Sequence, residues 1–318
     1  MSTRRTTTNR RHFLKQTALV GGGCLLFSPL AQGKDDLPFR AFSDKSEWNK
    51  PIPADAPIDP DSGKFIEHIK GFNPKIQWLK LSIGKWAEPF YWAKNGDPWY
   101  EIPGFPVPKV RIPKGAEPAT NSDSEMTIFD LENGWVIKFW RASFDGKAWH
   151  TSSKTWYSLA SNGLEGRMPE SDEKRNTGHR GYPPAIHGVR WDEVSTGILR
   201  HTLKVALDKT GESHAYPGCG HERQRGGIIP EGAIFRIRPS LDLAARGLNG
   251  KALVIAKAIQ TYGVVVGDTG NTPMALKMEA LEKEGRPERW SELGIETDSL
   301  AQIRFDDFEC IKLGYHRP

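Results

Sequence analysis

The chain has 318 residues, of which 37% are hydrophobic, and its formal net charge is +5. This length and composition allow a substantial core, in one large domain or two small ones. Five basic residues and no acidic residue fall within residues 1–33, so the rest of the chain carries 39 basic and 39 acidic side chains. A neutral body has no net field to gather phosphate, which argues against nucleic acid as a partner.

Residues 1–33 have the pattern of an export signal. They contain an arginine pair, a moderately apolar run from Thr17 to Leu30, and Ala31-Gln32-Gly33 as a small-x-small cleavage site. This pattern resembles a twin-arginine signal and predicts a periplasmic or secreted protein. The apolar run is too short and too rich in glycine to span a bilayer. Cys24 is an alternative site for a lipid anchor, although the glycine three residues before it is a poor match.

The remaining sequence begins with a segment of different character. Residues 34–61 are rich in Pro and Asp, and they predict an extended lead-in over the surface. Residues 62–318 are assigned to a single β-rich domain. After removal of the signal only Cys219 and Cys310 remain, which permits at most one intramolecular disulfide.

The first half of this domain predicts one helix followed by a meander of strands. Ser62 is placed to cap a short helix over 63–72. From 77 to 159, short alternating or aromatic-rich runs are separated by Asn-Gly at 95–96 and 133–134 and by Asp-Gly at 145–146. These dipeptides are typical of tight hairpin turns, so the pattern predicts antiparallel pairing.

The second half mixes strands with helices. Residues 178–197 begin as a loop and end in a helical turn near 189–194, and 198–207 and 228–239 predict strands. Residues 248–263 have the clearest helical spacing, and 263–270 follow as a short buried strand. Short helices are expected at 273–283, 286–293 and 299–303, with a last strand near 308–313. The sequence therefore predicts a mainly β fold, an antiparallel sandwich or jelly-roll with helical decoration in the C-terminal third.

The stretch VVVGDTGN at 264–271 raises the question of an aspartic protease. That mechanism needs two Asp-Thr/Ser-Gly loops whose carboxylates share a proton, and this chain has one. Two interpretations remain. Asp268 caps local amides in a turn, or the strand end places Asp268, Thr269 and Asn271 at the mouth of a cleft that recognises sugar hydroxyls.

Two further regions offer acidic and imidazole groups. Asp123 and Glu125 lie two apart at the start of a predicted strand, so both can project from one face like the paired carboxylates of glycoside hydrolases. An Asx turn with an exposed Glu is the alternative. His201 lies downstream of Arg190 and Glu193, and such a set suits acid–base chemistry in a hydrolase or a lyase. A structural histidine is the alternative.

Tryptophan content strengthens the carbohydrate interpretation. Seven of the eleven tryptophans fall between residues 86 and 156. In WVIKFWRA the alternation puts Trp135 on one face and Trp140 on the other, so either a second layer covers the strand or one face stacks sugar rings. Trp140 is the candidate stacking surface.

Metal and cofactor signals are weak. His214, Cys219 and His221 are residue types that suit zinc or copper, and His179 and His187 lie in a nearby loop, but the spacing matches no standard site. The chain has no Gly-rich phosphate loop, no Gly-x-Ser-x-Gly elbow and no Cys-x-x-Cys pair. No cofactor and no metal are predicted, and a metal-dependent oxidoreductase built on the 214–221 loop stays an alternative.

The motifs SDSEM, GWVIKFWRA, GVRWDEVSTGILRHTL, IPEGAIFRI and YGVVVGDTGN occur in an order that resembles a set of exported bacterial proteins. The resemblance covers roughly residues 50–275. That set has His-Met where this chain has Glu125-Met126, and His-Ala-Leu where it has His201-Thr202-Leu203. The resemblance implies no particular activity, and it indicates four positions to examine: Asp123, Glu193, His201 and Asp268.

Together these patterns predict an exported carbohydrate-active protein, a hydrolase or lyase that acts on a polysaccharide or oligosaccharide. The expected catalytic residues are Asp123, Glu193, His201 and Asp268. The expected substrate-binding residues are Trp140, Arg190, Thr269 and Asn271. The alternative is a non-catalytic carbohydrate-binding or envelope-structural module, in which the same residues close turns and cap helices.

Overall fold

A computed structural model of the protein describes residues 37–105, 107, 109–164, 180–222, 226–284 and 289–318. The twin-arginine signal, Cys24 and His179 lie outside the described residues. Leu37–Pro318 contact one another as a single unit. Within the described ranges, no helix combines the length and the apolar character needed to cross a bilayer.

The described chain contains three α-helices, which are α1 Ser62–Phe72, α2 Trp191–Thr196 and α3 Gly250–Tyr262. Its strands are β1 Lys80–Ser82, β2 Phe90–Ala93, β3 Trp99–Tyr100, β4 Val110–Arg111, β5 Met126–Asp130, β6 Trp135–Trp140, β7 Ser143–Phe144, β8 Trp149–His150, β9 Ser153–Ser158, β10 Gly188–Val189, β11 Leu203–Leu207, β12 Ile234–Ile237, β13 Val264–Thr269, β14 Met274–Met278 and β15 Phe308–Cys310. Short 3-10 segments occur at Pro184–Ile186, Leu281–Glu284, Trp290–Leu293 and Phe305–Asp307.

The larger sheet has seven strands, in the order β1-β14-β11-β13-β12-β15 with β10 paired to β14. Strands β11 and β13 are parallel, as are β1 and β14, whereas β11 and β14 are antiparallel. Side chains alternate along a strand, so Leu203, Val205 and Leu207 of β11 enter the same apolar cluster. Helix α3 adds Ile255 and Ile259 to that cluster, because residues four apart lie on one side of a helix.

The smaller sheet has the order β2-β5-β6-β9. Strands β5 and β6 form the hairpin predicted at Asn133-Gly134, where Gly134 has a φ of 68°. Its outer face carries an apolar cluster to which the β3–β4 and β7–β8 hairpins contribute Val110 and Trp149, so a second layer covers the tryptophan-rich strands. Its inner face shares another apolar cluster with Val265 of the larger sheet.

The mainly β prediction is confirmed, but several of its parts are wrong. Both sheets contain parallel pairs, including β2–β5 and β11–β13, so the fold is not purely antiparallel. The turn at Asn95-Gly96 does not close a hairpin, because β2 pairs with β5 whereas β3 pairs with β4. Residues 273–283, expected as a helix, include β14, which lies between β1 and β11. The helices at 62–72 and 250–262 are confirmed.

The Pro- and Asp-rich segment before α1 does not run over the surface as expected. Trp48 is fully buried, and its Nε1 donates a hydrogen bond to the carbonyl of Gly163 at 2.6 Å. The amide of Ile52 donates to the carbonyl of Thr261 at the end of α3. Residues 41–56 therefore supply part of the core, although their proline content predicted an exposed segment.

Candidate functional site

Polar side chains converge where the parallel strands β11 and β13 end. The parallel register slips between Val205 and Ala206, so that Ala206 pairs with Asp268 and the bulge skips Gly267. A Cβ atom at Gly267 would lie 2.9 Å from the side chains of Lys204 and Tyr182, so only glycine permits this packing. In sheets with parallel strands, ligands commonly bind outside the carboxyl ends of the strands.

We call the residues gathered at this edge the strand-end cluster: Arg180, Lys204, Glu222, Glu231, Asp268 and Thr269. Lys204 Nζ lies 3.0 Å from Asp268 Oδ2, and Arg180 Nη1 lies 3.8 Å from Asp268 Oδ1. Arg180 also contacts Glu222 Oε1 at 2.5 Å and Glu231 Oε2 at 3.4 Å. The hydroxyl of Thr269 donates to Glu222 Oε2 at 2.5 Å. One guanidinium thus joins three carboxyl groups.

The electrostatics of this cluster are unusual for a surface loop. Burial lowers the pKa of Lys204, an effect that Asp268 opposes. Burial raises the pKa of Glu231, although Arg180 acts in the opposite direction. Burial also raises the pKa of the neighbouring Tyr182. Arg180 itself has a φ of 60°, a backbone conformation rare for a residue with a side chain. Displaced pKa values and strained backbone concentrate at functional sites.

A second group, Arg190, Glu193 and His201, is buried. Glu193 Oε1 lies 2.8 Å from Arg190 Nη2 and 2.8 Å from His201 Nε2, and His201 Nδ1 donates to the carbonyl of Thr202 at 2.8 Å. Burial alone would raise the pKa of Glu193, but Arg190 and His201 outweigh it and lower the pKa. Glu193 also accepts from the Arg190 amide and closes the first turn of α2. Each of these polar atoms has a partner inside the protein, which is typical of groups that stabilise a fold.

His201 of the buried trio and Asp268 of the strand-end cluster lie near opposite ends of β11. His201 precedes this strand, whereas Asp268 pairs with Ala206, five residues further along. At about 3.3 Å per residue the two positions are roughly 16 Å apart, too far for acid–base partners to share one bond. Arg190, expected to bind substrate, is 1% exposed and packs against the rings of Phe39 and Trp92. It presents no surface to a ligand.

Asp123 occupies a third place, in the turn before β5. Its Oδ1 accepts a hydrogen bond from Trp140 Nε1 at 3.3 Å, and the guanidinium of Arg141 lies 4.3 Å from the Trp140 ring. The turn is an Asx turn, because Asn121 Oδ1 accepts from the amide of Asp123. Ser124 and Arg141 both have positive φ values, 42° and 53°. Asp123 thus contacts Trp140 and its own turn, and it belongs to neither the strand-end cluster nor the buried trio.

Glu125 does not project beside Asp123 as expected. It belongs to a buried quartet with Glu88, Lys138 and Lys277, which links the smaller sheet to the larger one. Lys138 Nζ lies 2.6 Å and 2.7 Å from the two Glu88 oxygens and 2.7 Å from Glu125 Oε2. Lys277 of β14 contacts both glutamates. Thr127 adds a hydroxyl donor to Glu88 at 2.6 Å, so the quartet is balanced in charge and closed.

The remaining expected residues lie near the surface. Thr269 belongs to the strand-end cluster, and Asn271 is exposed just beyond β13. Trp140, Trp86 and Trp99 are exposed, whereas Trp149 is buried. The stacking role of Trp140 stays a prediction.

The 214–221 loop brings two imidazoles together. His214 Nδ1 and His221 Nδ1 are 3.1 Å apart, and both rings are exposed. Throughout the described residues, no group of three or more His, Cys, Asp or Glu side chains is arranged to hold a metal ion. Within the described residues, neither Cys219 nor Cys310 forms a disulfide bond, and the first is exposed whereas the second is buried.

Comparison with known proteins adds no assignment. No protein-family model, curated protein or solved structure matches the chain. The functional conclusion therefore depends on the geometry of the strand-end cluster. Sequence reasoning found Asp268 and Thr269 but missed Arg180, Lys204, Glu222 and Glu231. One signal was present: Lys204 stands at an alternating position between buried apolar residues of HTLKVAL, where a lysine needs an acidic partner.

Proposed function

We propose that this protein is an exported carbohydrate-active protein and that the strand-end cluster is its saccharide site. The observation that carries the proposal is the arrangement of Arg180 between Glu222, Glu231 and Asp268, with the Thr269 hydroxyl beside them. Specific small-molecule sites use a few well-placed polar groups of this kind. The two main sheets would act as the layers of a sandwich scaffold, an idea supported by the apolar cluster that they share.

The chemistry of the cluster favours a ligand with many hydroxyl groups. Carboxylates accept hydrogen bonds in pairs, and a guanidinium donates them in pairs, which suits neighbouring hydroxyls of a sugar ring. The side chains of Arg180, Glu222 and Asp268 keep 15%, 15% and 26% of their surface exposed. A hydroxyl group can therefore reach these side chains from solvent, which is not true of Glu193 or His201.

Two carboxyl groups of the cluster can be compared with the acid–base pair of a glycoside hydrolase. Glu231 Oε2 lies 3.4 Å from Arg180 Nη1 and Asp268 Oδ1 lies 3.8 Å from the same atom, so these two oxygens are at most 7.2 Å apart. Carboxyl pairs separated by roughly 5–9.5 Å serve glycoside hydrolysis, but Glu231 is fully buried, so of these two groups only Asp268 can reach a substrate. Analysis of the products, rather than the geometry, distinguishes cleavage of a glycan from binding without reaction.

A glycan panel tests the proposal. The secreted form is titrated with soluble oligosaccharides by calorimetry, and the mixtures are assayed for new reducing ends and for unsaturated products. D268N should lower the affinity for the bound glycan about 10-fold or more, because a hydrogen bond to a charged group contributes about 1.5–3 kcal/mol. T269V should weaken binding less, since it removes one neutral donor.

The matched control is D123N, which changes another partly exposed acid that was also expected in the site. D123N should bind like the wild type. Loss of binding in D123N but not in D268N would move the site to the Asp123–Trp140 surface and contradict the proposal. Absence of binding to every glycan of the panel would reject a saccharide ligand altogether.

A further inference from the structure

The exposed His214–His221 pair brings two potential metal ligands together. Their Nδ1 atoms are 3.1 Å apart, and the ring planes are inclined by 26°. A neutral imidazole can donate a hydrogen bond from one ring nitrogen and accept one at the other, so this contact can form between one protonated and one unprotonated Nδ1. A cation of high affinity for imidazole can take the place of that proton.

The separation of the two nitrogens sets the angle at such a metal. Zinc binds histidine nitrogen at about 2.0–2.1 Å. Two nitrogens 3.1 Å apart, each at that distance from one ion, subtend roughly 95–102° at the metal. This lies between the right angle of tetragonal Cu2+ and the tetrahedral angle of Zn2+, so neither ion needs the pair to move by more than a few tenths of an ångström.

Hydrogen bonds to one residue, Glu231, hold the backbone on either side of the pair, next to His214 and next to His221. The amide of Ala215, next to His214, donates to the Glu231 carbonyl at 2.7 Å, and the Glu231 amide donates to Ser213 at 3.2 Å. The amide of Glu222, next to His221, donates to Glu231 Oε1 at 3.0 Å. The pair is thus fixed from both sides, which lowers the entropy lost when a ligand bridges the rings.

We propose that His214 and His221 bind one divalent first-row transition metal ion, Cu2+ or Zn2+, with the other coordination positions open to water or to a ligand. Two protein ligands give a site weaker than the closed four-ligand sites of structural zinc. His221 directly precedes Glu222, so the metal would lie close to a residue of the strand-end cluster. This inference is independent of the proposed saccharide ligand, because the ion alone is the probe.

The test is a titration of the untagged full chain with CuSO4 and, separately, ZnCl2, followed by calorimetry and, for Cu2+, by electron paramagnetic resonance. We expect one ion per chain and nitrogen hyperfine splitting in the copper spectrum. H214Q and H221Q should each lower the affinity at least 10-fold and remove that splitting. Both side chains are exposed, so the variants should keep the thermal stability of the wild type.

The matched control is H150Q, which removes another exposed histidine, paired with Asp145 on the β7–β8 hairpin. H150Q should bind copper like the wild type. The proposal is overturned if H214Q and H221Q retain wild-type affinity for both ions, or if neither ion binds the wild type more tightly than it binds the H214Q/H221Q double variant. Either result would leave the glycan titration unaffected, so the two proposals fail separately.

Discussion

The substitution G232A should destabilise the protein strongly, because two backbone segments meet at Gly232. This residue has a φ of 94°, and a Cβ atom there would lie 1.8 Å from the carbonyl oxygen of Ala215. The left-handed backbone alone costs an alanine about 1–2 kcal/mol. The Ala215 segment must also retreat by more than an ångström, which disrupts its bonds to Glu231 at 2.7 Å and from Gly218 at 2.9 Å. At about 1 kcal/mol per hydrogen bond, the total loss is about 3–4 kcal/mol.

The variant G146A separates the two contributions to this loss. Gly146 has nearly the same φ, 95°, but no atom lies within 4 Å of the position of its Cβ. In urea unfolding, G146A should lose only the conformational cost, about 1–2 kcal/mol, and G232A roughly 2 kcal/mol more. Equal losses would refute the close approach at Gly232. Since Ala215 follows His214, G232A should also weaken copper binding, which G146A should leave unchanged.

Two other substitutions probe the buried charges. K138M leaves the fully buried Glu88 without its main partner and should cost about 3–5 kcal/mol in urea unfolding, whereas K109M, on an exposed pair, should leave the urea midpoint unchanged. Burial would raise the pKa of Glu193, but its partners Arg190 and His201 lower it in the folded protein. The ionised Glu193 therefore adds stability above the ordinary carboxyl pKa, and this stability is lost as the pH falls through the pKa of the folded state. The difference in urea midpoint between wild type and E193Q should therefore shrink from neutral to acid pH. A constant difference would show that Glu193 binds no additional proton on unfolding.

Local patterns predicted the elements whose own residues decide their structure. Helices α1 and α3 have apolar residues at helical spacing, and the β5–β6 turn has the Asn-Gly dipeptide that tolerates positive φ. The errors lie where distant partners decide. The sequence PMALKM reads as helix by propensity, but β14 is flanked by β1 and β11, and Met274, Leu276 and Met278 alternate into the core. Strand partners such as β2 and β5, about forty residues apart, leave no local signal.

The site was predictable only in part, for the same reason. Asp268 and Thr269 follow an apolar strand, which marks a strand end in sequence. Arg180 and Glu222 come from two separate loops, and only the tertiary fold brings them to Asp268. The expected Glu193–His201 contact is real, at 2.8 Å, but the pair is buried. Spacing showed that the two residues could meet, and it carried no information about solvent access.

Charge balance distinguishes the strand-end cluster from the buried quartet. In the buried quartet two carboxylates face two ammonium groups, and Thr127 supplies a further donor, so a ligand would have nothing to satisfy. The strand-end cluster sets three carboxyl groups against one guanidinium and one ammonium group, so acidic groups outnumber cationic groups by one. Burying acceptors without donors is costly, whereas the partly exposed carboxylates of Glu222 and Asp268 can accept hydrogen bonds from water or from hydroxyl groups of a ligand. The charges are matched in the quartet, whereas carboxyl groups outnumber cationic groups in the strand-end cluster, and this imbalance supports our proposal that the second cluster is the binding site.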